Sequence, residues 1–487
     1  MKNLKNKVFS GLIWSSLDTF FLKGLTFVVM IYIARIIGPQ EFGFIGMISV
    51  FLGVGITLFD GGMAASLIRS DNLDDYDYST VYYSNILISL LVYFFSYIIS
   101  PYVADFYGYE ILSTLIKVYC LVFLIMSFSA VQFAIHNKKM LFKNIAKINF
   151  VATIIGTFTG VYLCIEGYGV WSIVLMLLAT ETIKTISYII FSDWKPKFIF
   201  SIRKFKYHYF FGYKLMLSGL LDVVFKNIYN VIIGKFYNPQ ALGYFERSRQ
   251  FNDYPSSTLN GIITRVSYPM MSVIKDNKTH FKATYKKIIR SAMFVIPPII
   301  LLLSAISEPL FLIILGKDWL PAVPLFKIIS FGSILYPVHS FCLNVLKTYG
   351  RSDLFLKVEI QKKVIVIVSI LIMFQFGLIG LVWSTVISSI LGMFVNMYYS
   401  GKIINYTINE QLKDLFIPIT LSILMYFLIE FFVSIINTEN SYLTIIISST
   451  VGLGIYLFLN LLIKESPIHY VMDISKKMLK KIYDSSN

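Results

Sequence analysis

The sequence predicts an all-α integral membrane protein of about fourteen transmembrane helices, with two pseudosymmetric six-helix lobes followed by two C-terminal helices. Three observations carry that prediction: an apolar composition, apolar runs of membrane-crossing length, and a one-sided distribution of cations between them. Of 487 residues, 56% are hydrophobic and 14% charged, and the mean hydropathy is +0.71. Soluble proteins carry about 25% charged residues. A soluble globule of this composition exposes too much apolar surface to stay dissolved, whereas a bilayer is a matching solvent. The same figures exclude a disordered chain and a disulfide scaffold. Cys120, Cys164 and Cys342 all sit in apolar runs. They read as small hydrophobes, so neither a disulfide framework, a metal site nor a cofactor is expected.

A helix needs about 20 mostly apolar residues to cross the hydrocarbon core. Runs of that kind fall at 11–34, 43–68, 81–100, 112–136, 148–165, 170–192, 215–234, 241–274, 291–314, 321–346, 358–376, 377–400, 414–436 and 442–463. The eighth is long and polar, with Pro255 inside it. The eleventh begins among Lys357, Glu359, Lys362 and Lys363. Residues 1–206 would form the first lobe and 207–408 the second. The last two spans and a tail would occupy 409–487.

Cytoplasmic loops of membrane proteins are enriched in Lys and Arg. With the N-terminus inside, and Lys362 and Lys363 at the head of the eleventh run counted with the inner side, 32 of the 43 Lys and Arg residues fall on inner segments and three (Arg35, Lys235, Lys317) on outer ones. Both termini are therefore expected in the cytoplasm. The net charge of +16 is chiefly an orientation signal, not a nucleic-acid-binding surface. In the tail, Ile474, Met478 and Ile482 oppose Lys476, Lys477, Lys480 and Lys481. That pattern suits an amphipathic helix resting on anionic membrane lipids. The first apolar run is too long for a signal peptide, and the runs lack the alternation of a β-barrel.

An internal repeat supports the two lobes. Pro39-Gln40-Glu41-Phe42-Gly43-Phe44 is echoed by Pro239-Gln240-Ala241-Leu242-Gly243-Tyr244. Earlier in the same hairpins, Leu17-Asp18-x-x-Phe21 is echoed by Leu221-Asp222-x-x-Phe225. Duplication of a unit with an even number of spans puts both copies in the membrane the same way round. Two such lobes would enclose a cavity open alternately to either side, as transporters require.

Ionisable groups within spans are costly and mark candidate functional sites. Glu181 and Lys184, Asp222 and Lys226, and Glu246, Arg249 and Asp253 have the i,i+3 or i,i+4 spacing of helix-face pairs. Their plain reading is mutual neutralisation. Lys117 and Lys327 lie near span ends and are read as snorkelling, and Arg247 as reaching the outer interface. His339 reads as a hydrogen-bonded core residue. Lys23 and Arg265 have no carboxylate at helical spacing, and Asp60 is equally isolated. These charges need partners on other helices, in water or in a substrate. Lys23, Lys226, Lys184 and Arg249 are candidate anion-binding residues. Asp18, Asp60, Asp222, Glu181 and Arg265 are candidates for a gate or ion coupling. The sequence has no P-loop, no His-Glu-x-x-His and no Gly-x-Ser-x-Gly, so neither ATPase nor hydrolase chemistry is supported. Transport would draw on an ion gradient, the membrane potential or substrate supply.

The stretch Ala34-Arg35-Ile36-Ile37-Gly38-Pro39-Gln40-Glu41-Phe42-Gly43, continuing to Phe59-Asp60-Gly61-Gly62-Met63-Ala64-Ala65-Ser66-Leu67-Ile68-Arg69, resembles the N-terminal signature of bacterial polysaccharide transporters. These are the Wzx-type flippases of the multidrug/oligosaccharidyl-lipid/polysaccharide exporter superfamily. Leu242-Gly243-Tyr244, Arg265-Val266-Ser267-Tyr268-Pro269 and Leu315-Gly316-Lys317-Asp318-Trp319-Leu320-Pro321-Ala322 resemble its later landmarks. The resemblance implies flipping of an undecaprenyl-diphosphate-linked oligosaccharide across the bacterial inner membrane. The product would be an O-antigen, capsule, exopolysaccharide or teichuronic acid. It also implies a polysaccharide polymerase and other assembly proteins as partners. The alternatives are a lipid-linked peptidoglycan-precursor flippase and a cation-coupled multidrug exporter.

Overall fold

A computed structural model describes the backbone of residues 2–435 and 440–463, and the side chains from Phe21 onward except Val266. The amphipathic tail expected after residue 463 and the side chain of Asp18 lie outside the described residues. The described chain is helical throughout, with no strand among its elements. It divides into two compact units, Met1–Gly243 and Tyr244–Asn487.

Unit one contains α1 (Lys2–Asp60), α2 (Met63–Arg69), α3 (Asp75–Tyr107), α4 (Ile111–Tyr119), α5 (Leu121–Ser127), α6 (Ala130–Lys138), α7 (Phe142–Ile165), α8 (Trp171–Phe191), α9 (Ile202–Lys226) and α10 (Ile228–Phe236). α1 breaks at Gly38, whose φ of 77° lies in the left-handed region that glycine tolerates. Pro39 follows, and a proline disfavours helical geometry in the residue before it. α7 packs on α8 and α1, and α9 packs on α1, α2 and α3.

Unit two contains α11 (Pro239–Val273), whose first residues close unit one, then α12 (Lys278–Ala305), α13 (Ser307–Ile314), α14 (Val323–Ser333), α15 (Tyr336–Thr348), α16 (Ser352–Met373), α17 (Gly377–Ile404), α18 (Ile408–Ile435) and α19 (Ser441–Leu462). α12 supplies much of its core. Tyr285, Met293, Ile296 and Leu301 pack with Val338, Phe341, Met397, Met425 and Tyr456, all buried. Of the charges that begin α16, Lys362 pairs with Glu359 at 2.6 Å and Lys357 lies over the Tyr399 ring.

Among the described residues, nine helices are long and apolar enough to cross a membrane, or eleven if two bent pairs count as spans. The bent pairs are Ile111–Ser127 with Ala130–Lys138, at 47°, and Ile202–Lys226 with Ile228–Phe236, at 41°. The expected fourteen is not reached on this criterion. Part of the difference lies in the continuous stretches Phe21–Asp60 and Ser352–Ile404, of 40 and 53 residues, each counted once. At 1.5 Å per residue they run about 60 and 80 Å, against an apolar thickness of about 30 Å. One is broken at Gly38, the other at the turn Phe374–Phe376 before Gly377. α11 is too polar to be counted.

The sequence repeat becomes a reciprocal contact. A Cβ at Gly43 would overlap the Pro239 carbonyl, and a Cβ at Gly243 would overlap the Pro39 carbonyl. Each copy's glycine thus makes room for the other copy's proline backbone.

Candidate functional site

Helical spacing sorted several charges correctly. Glu181 and Lys184 pair at 2.7 Å on α8, and Glu246 and Arg249 at 3.0 Å on α11. His339 accepts from Asn396 Nδ2 at 2.7 Å through Nδ1, which leaves Nε2 to donate to Ser389 Oγ at 3.1 Å. Asp60 accepts from the Ala64 N–H at 3.2 Å and so caps the first turn of α2. Asp222 and Lys226 are exposed in the last turns of α9, just before the bend into α10. Lys23 is exposed and forms no ion pair among the described residues.

Two expectations are corrected. Lys327 does not simply snorkel: its ammonium bonds Glu430 Oε1 at 2.5 Å, joining α14 to α18. Arg247 does not extend to an interface. It is buried, and its Nη1 donates to Gln250 Oε1 at 2.6 Å. Lys117 lies 4.8 Å from the Tyr97 ring centroid, which gives its charge a π face.

Arg265 lines a cavity of about 560 Å³ within unit two. One stripe of α11 (257, 260, 261, 264, 265, 268) faces one stripe of α15 (336, 340, 344, 347). The spacing of three or four residues along each helix puts every one of these on a single face. The charged lining residues are Arg265 and Lys347; the others include Asn260, Thr264, Ser340, Asn344, Tyr268 and Tyr336. Asn260 Nδ2 donates to Ser340 Oγ at 2.8 Å across the cavity wall. The sequence reading found Arg265 but not the amides and hydroxyls around it, although their periodicity was there to see.

A second polar cluster holds the start of α9 to unit one, and sequence reasoning missed it. Ser66 Oγ lies 2.8 Å from His208 Nδ1, and His208 Nε2 lies 3.0 Å from Asp77 Oδ1. Lys204 Nζ donates to Asp77 Oδ2 at 2.7 Å. Asp77 also closes a capping box with Asp74 at the head of α3, through N···O distances of 2.9 and 3.0 Å. His208 and Asp77 are buried, and every polar atom they present to the cluster has a partner. Four residues on from His208, a Cβ at Gly62 would stand 2.5 Å from the Gly212 carbonyl oxygen, so backbone meets backbone there. Trp194 packs on Tyr78 and Tyr82 of α3, at centroid distances of 5.8 and 5.9 Å.

Comparison with known proteins places this architecture. A family model described as polysaccharide biosynthesis protein matches residues 32–324. The chain is 24% identical over 491 residues to the teichuronic acid biosynthesis protein TuaB of Bacillus subtilis (strain 168), covering 99% of each. It is 23% identical over 426 residues to the lipopolysaccharide biosynthesis protein WzxC of Escherichia coli (strain K12), covering 86% of each. Among solved structures, the lipid II flippase MurJ in an inward closed conformation superposes with a TM-score of 0.74 at 19% identity. That match covers 92% of this chain and 97% of that one, and at this identity it speaks for the fold alone.

Proposed function

Because the chain belongs to the polysaccharide biosynthesis protein family, we propose that it flips undecaprenyl-diphosphate-linked oligosaccharide units across the bacterial cytoplasmic membrane. The units would feed synthesis of a surface polysaccharide. The observation that carries this reading is the cavity between α11 and α15, with two cations, no carboxylate and many hydroxyls and amides in its lining. A diphosphate needs cations to offset its loss of water, and sugars need exchangeable hydrogen-bond partners. The polyprenyl tail has no such need and stays in lipid. A cationic drug would instead call for a cavity lined by carboxylates, so a multidrug exporter fits less well.

Lys23, with Lys226 from the repeat-equivalent helix, is the proposed anion site along the path. Arg249 and Lys184, which pair with Glu246 and Glu181 on their own helices, are further candidates. Both termini would face the cytoplasm. The test is transport of fluorescent undecaprenyl-diphosphate-linked oligosaccharide by the purified protein in proteoliposomes. Flipping of that substrate but not of a cationic dye supports the reading, and the reverse overturns it. Full transport by a correctly inserted Lys23→Ala, Lys226→Ala variant would remove those two residues from the path.

A further inference from the structure

We propose that the start of α9, residues 202–214, with the segment 198–200 leading into it, is a docking surface for anionic phospholipid headgroups. One face of this stretch is fastened to unit one. The opposite face carries cations and aromatic rings together and rests on the membrane surface. The inference does not depend on which lipid-linked substrate the protein moves.

The first observation is length. α9 and α10 hold 25 and 9 residues. At 1.5 Å per residue they run about 50 Å together, against a hydrocarbon core of about 30 Å. The apolar run begins only at Leu215, so the surplus of about 20 Å, or about 13 residues, falls on 202–214. The second is the disposition of side chains. Lys204, His208 and Gly212 recur every four residues on the face that meets Asp77, Ser66 and Gly62. At about 100° per residue, Arg203, Lys206, Phe210 and Lys214 fall within about 80° of one another on the opposite face, and all four are exposed. Ile202 and Tyr207 flank them and are exposed too, and Phe198 is 96% exposed. An apolar ring projecting into water is unfavourable, whereas at the boundary of headgroups and acyl chains it is buried. The third is charge. Residues 194–221 contain no Asp or Glu. Lys197 and Lys204 are taken up by Asp75 and Asp77. Arg203, Lys206 and Lys214 form no ion pair among the described residues. Cations interleaved with rings, and with no acid between them, complement a negatively charged headgroup layer. The face is continuous with the apolar run that starts at Leu215, which favours lipid over a protein partner.

Amide hydrogen exchange of the full-length protein tests this in nanodiscs of phosphatidylcholine alone and of an equal mixture with phosphatidylglycerol. A cation near an anionic surface contributes about fivefold to docking, so the three together give about 100-fold. Exchange in 202–214 is expected to be slower by about that factor in the mixture, and at about 1 M salt, where the Debye length is about 3 Å, most of the difference disappears. Arg203→Gln, Lys206→Gln and Lys214→Gln together should leave exchange in phosphatidylcholine within about twofold, because Lys204, His208 and Gly212 still hold the fastened face, and should erase the slowing by phosphatidylglycerol. Phe210→Ser should speed exchange in both lipids by about tenfold, through loss of a buried ring. Equal wild-type exchange in the two lipids leaves the face to a protein partner and overturns the proposal. Slowing by phosphatidylglycerol that survives in the triple glutamine variant overturns it as well.

Discussion

His208→Phe isolates the bonds that fasten α9 to unit one. Phenylalanine fills the imidazole's volume but can neither accept from Ser66 nor donate to Asp77. The 3.0 Å bond to the Asp77 carboxylate is charge-assisted and worth about 1.5–3 kcal/mol; the 2.8 Å bond to Ser66 adds about 0.5–1.5. Asp77 keeps Lys204 and the Asp74 N–H, so its charge is not orphaned. Ser66 can turn its hydroxyl to the carbonyl one helical turn back. The local opening energy of the α9 start should thus fall by about 2–4 kcal/mol. Each 1.4 kcal/mol is tenfold, so amide hydrogen exchange in residues 202–212 should quicken by about 30- to 1000-fold. Exchange in α7 and α8, which make no bond to the cluster, should not change. His208→Ala adds a cavity and should cost more than the Phe variant. Unaltered exchange over 202–212 in both variants would refute the anchor.

Gly43→Val and Gly243→Val should each destabilise the solubilised protein by more than about 2 kcal/mol, because the new Cβ must displace the opposite proline's backbone; thermal unfolding would reveal it. Lys327→Met should lower the melting temperature more than Lys327→Met with Glu430→Met, since the single change leaves a half-buried carboxylate without its cation; an equal or larger loss in the double variant would argue against the pair. Reporter fusions after residues 75, 205, 283 and 408 should read cytoplasmic and one after 105 external, and exchanged signals at 205 and 283 would invalidate the orientation.

Much of the architecture was legible because its signals are local. A run of apolar side chains states that a helix prefers lipid, and that much is read from each run by itself. The breaks were less legible. Gly38 before Pro39 is a readable stop, but the bends after Ser127 and at Asn227 follow ordinary residues. At Asn227 the contacts are tertiary: its side chain accepts from Ser49 Oγ at 3.1 Å while Asn230 donates to the same hydroxyl, and these bonds join α1 to the bend. The anchor at His208 was invisible for the same reason. Its partners are 131 and 142 residues away, and in sequence His208 is one more residue in a basic loop.

This difference changes how an isolated charge should be weighed. Lys327 and Lys23 look alike in sequence, since neither has a carboxylate at helical spacing. Yet Lys327 finds Glu430, 103 residues away, and becomes part of the framework. Lack of a local partner is therefore weak evidence for a ligand, because a folded bundle brings many distant helices within reach of each cation. The α11–α15 cavity brings Arg265 and Lys347 together with hydroxyls and amides in one lining. The polar groups of Asp77 and His208 are matched by Lys204, Ser66 and the Asp74 N–H. Glu181 with Lys184 and Glu246 with Arg249 form ion pairs on one helix face, and Asp60 caps the first turn of α2, so each of these charges is met within the fold.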